Sequence, residues 1–597
     1  MRIRLGWALF LLTAASYVFY PVWRLPLPWP AQWALLNAFV LLAAAMLYSP
    51  LKGVSLRAEL PELRELWPAV LAAALVCLPF WLTPIAAAYD EQSHAGPAAW
   101  LLGRTASAIG LDIRLLPLLG ISAALLLAYA VWRLSRAGYR LPSPAVAALA
   151  LAAAGNLYFL ADRRFGAAGA IGQYVTVLHY PPLSKFLYLA AYAVMGITEA
   201  APRSVQFVFI ALTAVIMLRL MRAMKAARPG RLAFLLIAIF PTFFALGITA
   251  ELEAGTVFFF TAAIYHFVMG VEGEDRAQFL KCAFWCAAGI FYKQLLLGLI
   301  FSLAPLLLAL ALLREERRGH YLFGLKALAL PLLTGLPFIA LSDMMHVRDT
   351  ALALHNILKP GLMTLDLKVI YMTCGAPLTA VLAVSAVYAL FRYRGLPLWT
   401  LIYVSAAYYL MISATLAVGY VRHAQPFYIA LVFMTALAVS DLSARLRGLP
   451  GKALAAAVLG LLLYQSVLAR APYQRKTAFN YYSEVFPYWL ADAALKPGQK
   501  VYAPMEIEPS HFYLAKAGLA GKVTWDRTLP EGFDAAKAEA AAKADGADFV
   551  LLPYSPFPSL KVDFVRIADA LTASGRFRPE RVFDYHGNKL ILLKTAF

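Results

Sequence analysis

The sequence predicts an α-helical polytopic membrane protein of roughly fifteen spans, followed by a smaller extracytoplasmic α/β domain. Three observations predict this: long apolar runs, basic residues confined to alternate short loops, and a change of composition near residue 471. The 597 residues are 62% hydrophobic and 14% charged, with a mean hydropathy of +0.68. A water-soluble fold could not tolerate that composition over most of its surface. A helix needs about 20 apolar residues to cross the hydrocarbon core. Runs of that kind occur near 5–22, 32–49, 67–86, 113–133, 143–161, 203–222, 231–249, 255–271, 277–292, 294–313, 322–342, 369–391, 398–417, 424–440 and 453–468. They lack the polar alternation of barrel strands.

The net charge of +20 is distributed in a way that argues against nucleic acid as a partner. It gathers in short loops: Arg133, Arg136 and Arg140; Arg219, Arg222, Lys225, Arg228 and Arg231; Arg314, Arg317 and Arg318; Arg392 and Arg394; Arg445, Arg447 and Lys452. The positive-inside rule makes these loops cytoplasmic. The N-terminal "MRIR" is then inside, its apolar run reads as a retained first span rather than a cleaved signal peptide, and the C-terminus lies outside. The protein is thus expected in the plasma (inner) membrane, in contact with membrane lipid.

Three regions follow: N-terminal helices with an outer loop (1–142), a transmembrane core (143–470) and the extracytoplasmic domain (471–597). In the last, "GQKVYAPMEI", "ADFVLLPY", "RPERVFDYHG" and "NKLILLK" read as strands, and "PSHFYLAKAGLA", "DAAKAEAAAKADG" and "VDFVRIADALTASG" as helices. It carries no glycine-rich phosphate loop and no metal-ligand spacing, so it reads as a cap or acceptor platform. The four cysteines, Cys77, Cys282, Cys286 and Cys374, lie in or beside spans and read as small core residues.

The stretch 160–189, "LADRRFGAAGAIGQYVTVLHYPPLSKFLYL", is unusually polar for its surroundings and falls on the outer side. Asp162 could mark a helix end and pair with Arg163 or Arg164. What favours function is the order that follows: "HYPPLSKFLYLAAYAVMG", then "TEAAPRS" leading into a span, a basic turn, and another span ending in "AELEAG". The piece 183–197 cannot be a full span without turning the basic loop 219–231 outward, so it should lie flat or re-enter. Glu251 and Glu253 sit at the next outer turn. Lys293, in "AGIFYKQLLLGL", lies between apolar runs, where an ammonium must either snorkel or pair with an anion. Arg422 and His423, in "GYVRHAQPFYIALVFM", stand on the side where the charge bias does not call for them. His94 and His179 have no metal-ligand partners in sequence and read as satisfied interfacial histidines.

This order resembles the GT-C superfamily of glycosyltransferases, which includes protein O-mannosyltransferases and aminoarabinose transferases. Asp162, the Pro181-Pro182-Leu183 element and Arg203 match the family's acid, "PPL"-like element and pre-span arginine. Lys293 and the Arg422-His423 pair are similar to its later lysine and "RY…P" element. The resemblance extends from about residue 143 onward, through motifs that are each short. One departure stands: the family's acid is often a "DE" pair, and such a pair occurs earlier, as Asp90 and Glu91 in "YDEQSHAGPAAWLLGR". The register through Asp162 keeps the later motifs in order and is preferred, with Asp90 competing.

The resemblance implies a GT-C-like fold and an inverting glycosyltransferase that moves a sugar from a polyprenyl-phosphate-linked donor to an outer-face lipid, glycan or protein acceptor. Such chemistry needs a general base and cationic stabilisation of the leaving phosphate. Asp162, or Asp90 with Glu91, would supply the first; Lys293, Arg422 and Arg203 the second. Glu251, Glu253, His423, Pro181 and Pro182 would position the acceptor or a metal. The sequence leaves open whether a divalent ion, Mg or Mn, takes part, and specifies no other cofactor. The competing expectation is a transporter, flippase, polymerase or ligase of lipid-linked glycans. Charges at outer span ends, rather than on broken helices at the midplane, favour the transferase.

Overall fold

A computed structural model describes residues 61–82, 89–136, 183–226, 230–341, 361–415, 425–468 and, with short breaks, 491–597. The predicted spans 5–22, 32–49 and 143–161 lie outside the described residues, as do Asp162, Pro181, Pro182, Arg422 and His423. Among the described residues, five helices are long and apolar enough to cross a membrane, or seven if each of two bent helix pairs counts as one span. The five are Ala200–Ala223, Glu253–Glu272, Cys374–Arg392, Tyr428–Leu446 and Gly448–Val467.

Helices break within the runs 231–249 and 369–391 and bend sharply at two other joints, each for a local reason. The run 231–249 forms two short helices, Arg231–Ala238 and Pro241–Gly247. Pro241 lacks an N–H and forces the preceding Phe240 to an extended ψ of 135°. Leu297–Leu313 and Glu315–Leu332 meet at 119° across the charged "REERR" turn. His94–Ala108 and Ile113–Leu126 meet at 115°, where the Asp112 side chain accepts from the Arg114 N–H and starts the new turn. The long helix Gly361–Arg392 kinks at Gly375, whose φ of 67° a side chain would resist.

Packing separates central from peripheral helices. The apolar window of Glu253–Glu272 is 83% enclosed, against 17% for Gly448–Val467. Because lipid is as apolar as the helix faces, close association depends on small residues and van der Waals fit. A Cβ at Gly255 would collide with the Tyr292 ring, and one at Gly120 with the Ala193 carbonyl. Phe209, Phe258, Phe259 and Tyr292 then interlock, with ring centroids 5.1–5.7 Å apart. Leu125, Leu126, Val384, Phe391 and Leu449 remain exposed, an apolar exterior that fits contact with lipid.

Residues 500–595 form a five-stranded sheet ordered β2-β1-β3-β5-β4, with β1 Lys500–Tyr502, β2 Thr524–Asp526, β3 Phe549–Pro553, β4 Phe577–Tyr585 and β5 Asn588–Thr595. β1 pairs parallel with β2 and β3, while β5 runs antiparallel to β3 and β4. Asp534 and Asp563 cap the helices Ala535–Asp545 and Phe564–Ala573, and Gly546 ends the first in a left-handed conformation. Strict alternation divides the strands between two cores. Tyr502, Val550, Leu552, Ile591 and Leu593 pack with these two helices. Val501, Phe549, Leu551, Leu590 and Leu592 face the other way, toward helix Pro509–Lys516 and toward Ala98, Ala99, Trp100, Tyr188 and Tyr192 of the apolar helices.

Candidate active site

Lys293 and Glu253 come together. Helix Arg276–Tyr292 ends at Lys293, which turns extended (φ −150°, ψ 118°) while its N–H still bonds the Gly289 carbonyl at 2.7 Å. The next helix through the apolar core begins, earlier in the chain, at Glu253, in the first turn of Glu253–Glu272. A carboxylate at a helix N-terminus and an ammonium at a C-terminus each suit the local helix dipole. The two helices form a hairpin, so these ends are adjacent, and Lys293 Nζ donates to Glu253 Oε1 at 2.6 Å. The side chains are only 10% and 5% exposed. Attraction in such a place offsets a large desolvation cost, and removing one partner typically costs about 3–5 kcal/mol. An ammonium has three N–H donors, and among the described residues this one donates to Glu253.

A polar network joins the same helices. Gln206 Nε2 donates to the Tyr188 hydroxyl at 2.8 Å and to that of Tyr292 at 3.1 Å. Tyr188 in turn donates to the Ala250 carbonyl at 2.9 Å, in the turn before Glu253. Tyr292 adjoins Lys293 in sequence and packs on Gly255, two residues after Glu253. Tyr188, Gln206 and Tyr292 are fully buried, and each buried hydroxyl or amide left unmatched would cost roughly 1–3 kcal/mol. Ser184 and Lys185 are also fully enclosed, in the first turn of helix Leu183–Met195.

The other predicted residues fall as follows. Arg203 is 2% exposed; its Nη1 donates to the carbonyls of Phe80 and Trp81 at 3.1 and 3.2 Å, closing the end of helix Pro61–Trp81. Trp81 then donates to the Gly247 carbonyl at 3.0 Å. Arg203 and Gln206, three residues apart, share a face of helix Ala200–Ala223. Glu251 is half-buried in the turn before Glu253. Asp90 and Glu91 lie in the first turn of helix Tyr89–Ala108. Among the described residues no three His, Cys, Asp or Glu side chains come together to hold a metal. Beside Glu253 the cation is Lys293.

Tyr188, Gln206 and Tyr292 were not singled out from sequence. A lone amide in an apolar helix, one turn from an arginine, was the available signal for Gln206; tyrosines in aromatic-rich spans gave none.

Similarity to known proteins follows this geometry. Residues 179–338 match the sequence model of the family described as dolichyl-phosphate-mannose-protein mannosyltransferase. The matched stretch holds helix Leu183–Met195, Arg203, Gln206, Glu251, Glu253 and Lys293. In structure, the chain aligns with ArnT from Cupriavidus metallidurans bound to undecaprenyl phosphate, with a TM-score of 0.51 over 89% of this chain and 98% of that one, at 13% identity. The chain shares the overall fold of that ArnT. The apo state of the same ArnT aligns with this chain at a TM-score of 0.50 and 12% identity, with the same coverage. No curated protein matches the sequence.

Proposed function

We propose that the chain is a membrane glycosyltransferase that takes a sugar from a polyprenyl-phosphate donor and attaches it, with inversion, to an acceptor outside the membrane. The carrying observation is the buried Lys293–Glu253 pair inside the stretch that matches the mannosyltransferase family. Lys293 gives one N–H to Glu253, which leaves two for an anion. A lipid-linked phosphate at the end of this helix hairpin is the ligand class that suits it. The bound lipid of the similar ArnT supports the same class.

In the reaction the acceptor hydroxyl forms a bond to the anomeric carbon as the bond to the phosphate oxygen breaks. The hydroxyl proton goes to the general base, and the phosphate leaves with its charge held by Lys293. Asp162 is the assigned base, with Asp90 and Glu91 its competitor, and the Pro181-Pro182 element is assigned to shaping the donor loop. Arg422 assists at the phosphate, and His423 and Glu251 position the acceptor. Arg203 and Glu253 act through what they hold: Arg203 a helix end, Glu253 the ammonium. No step is routed through a metal. The reading includes the wider topology: about fifteen crossings of the inner membrane, N-terminus cytoplasmic, residues 471–597 extracytoplasmic, and a lipid, glycan or protein acceptor.

The test is turnover by the purified protein in nanodiscs with a panel of polyprenyl-phosphate sugars, reading release of the free lipid phosphate. Release that needs Lys293 supports the assignment. One feature favours the transporter alternative: helix breaks meet where Ser466, in the π-turn Tyr464–Leu468, donates to the Ile239 carbonyl at 2.6 Å. Movement of intact donor across a proteoliposome bilayer without sugar release would decide for that alternative.

A further inference from the structure

Two helices of the membrane region complete the core of the carboxy-terminal sheet. One sheet face is covered by the unit's own helices Ala535–Asp545 and Phe564–Ala573. The other packs on helix Pro509–Lys516, together with Tyr89–Ala108 and Leu183–Met195. Contacts between loosely tethered domains are usually small and polar. This one is apolar and close. A Cβ on Gly103 would stand 2.9 Å from Ala520 Cβ and 3.1 Å from Ala515 Cβ, and the Phe512 and Tyr192 rings lie 6.2 Å apart.

A charged clasp marks its edge. Lys516 Nζ donates to both carboxylate oxygens of Glu199, at 2.7 and 2.8 Å. Glu199 stands at the N-cap of helix Ala200–Ala223 but makes no capping bond to it; its side chain is turned to the carboxy-terminal unit instead. From this edge, short links reach the site. Tyr192 donates to the Ala95 carbonyl at 3.3 Å, and Tyr188, one turn earlier on the same helix, is held with Gln206 against Tyr292.

We infer that the α/β unit is a positioning element of the site. Helix Pro509–Lys516 fixes helix Leu183–Met195 and the start of Ala200–Ala223, and so sets Tyr188 and Gln206 against Tyr292 and the Lys293–Glu253 pair. Glu199 and Lys516 are positioning residues in this scheme. The inference rests on the donor-phosphate reading above.

The test uses the full chain in nanodiscs, with undecaprenyl phosphate as probe. The variants are Lys516→Ala, Glu199→Gln, the exchange Glu199→Lys with Lys516→Glu, and Gly103→Leu as a wedge that touches no charge. Affinity for the probe, thermal stability and protease resistance of residues 491–597 are read together. Coupling between sites commonly spans about 5–150-fold in affinity. Loss of about tenfold in each single variant, with recovery in the exchange, is expected. A purely structural role would lower thermal stability and leave affinity alone. Wild-type affinity in variants whose α/β unit has become protease-sensitive overturns the inference while the donor reading stands. Failure of the wild type to bind the probe overturns both. Where Gly103→Leu does not fold, the three charge variants decide.

Discussion

Two ion pairs at helix ends treat their charges differently. Lys293 and Glu253 are both enclosed, at 10% and 5% exposure, and each is the other's partner. Asp441 is 2% exposed, but its arginines are half in solvent: Arg445 Nε at 2.9 Å and Arg392 Nε at 3.9 Å, each 50% exposed. The Tyr388 hydroxyl adds a third donor at 2.6 Å. Burial, with Asp441 alongside, pushes the neighbouring Tyr393 phenol up to about 12, so it stays protonated at neutral pH. In the proposed orientation the Asp441 cluster faces the cytoplasm, where arginines belong by charge bias. It is a saturated clasp between two helices. The Lys293 pair has little such solvent, and in the proposed reading its ammonium also holds the phosphate.

The largest effect expected is on folding. Lys293→Leu leaves Glu253 buried without a cation and should cost about 3–5 kcal/mol of stability. Replacing both residues by leucine should recover most of that, since a buried pair is often no more stable than an apolar one. Thermal unfolding of the single and double variants checks the order. If the single variant is as stable as the double, the pair is not desolvated as described.

Next in size is the base. Asp162→Asn should leave probe binding intact and slow transfer by roughly 10²–10⁴-fold. Slow transfer in Asp90→Asn, with normal transfer in Asp162→Asn, would move the catalytic loop to the earlier segment. A smaller effect attaches to Gln206→Leu, which strands the Tyr292 hydroxyl and leaves that of Tyr188 its bond to the Ala250 carbonyl. It should cost about 1–3 kcal/mol in stability, and affinity for undecaprenyl phosphate should fall with it; an unchanged affinity would detach the network from the site. Smallest is Asp441→Asn, whose partners keep their solvent. Transfer should stay within about twofold, and a larger loss would mean that the two ends are not functionally distinct.

How far these features were legible in sequence follows from how local their causes are. Apolar length marks the central helices, and strand-like and helix-like stretches after residue 471 mark most of the sheet and its helices. β2, three residues long, is too short to show alternation. The charged turn after residue 313 and Asp112 mark where the chain bends, but the angles of 119° and 115° depend on packing that composition does not carry. Lys293 stood out as an ammonium among apolar residues, and an anionic partner was one of two expectations for it. That the anion is Glu253, 40 residues away, needed the hairpin geometry. Glu199 and Lys516, 317 residues apart, offered no sequence signal at all. Asp162 and Arg422 rest on motif order alone.

The most direct test of the central claim is the affinity for undecaprenyl phosphate of the Glu253→Leu, Lys293→Leu double variant, set against wild type and Asp441→Asn in the same nanodiscs. The account predicts that wild type and Asp441→Asn bind alike, and that the double variant, folded and stable, does not bind. Binding by the double variant at wild-type affinity would contradict it and place the phosphate elsewhere.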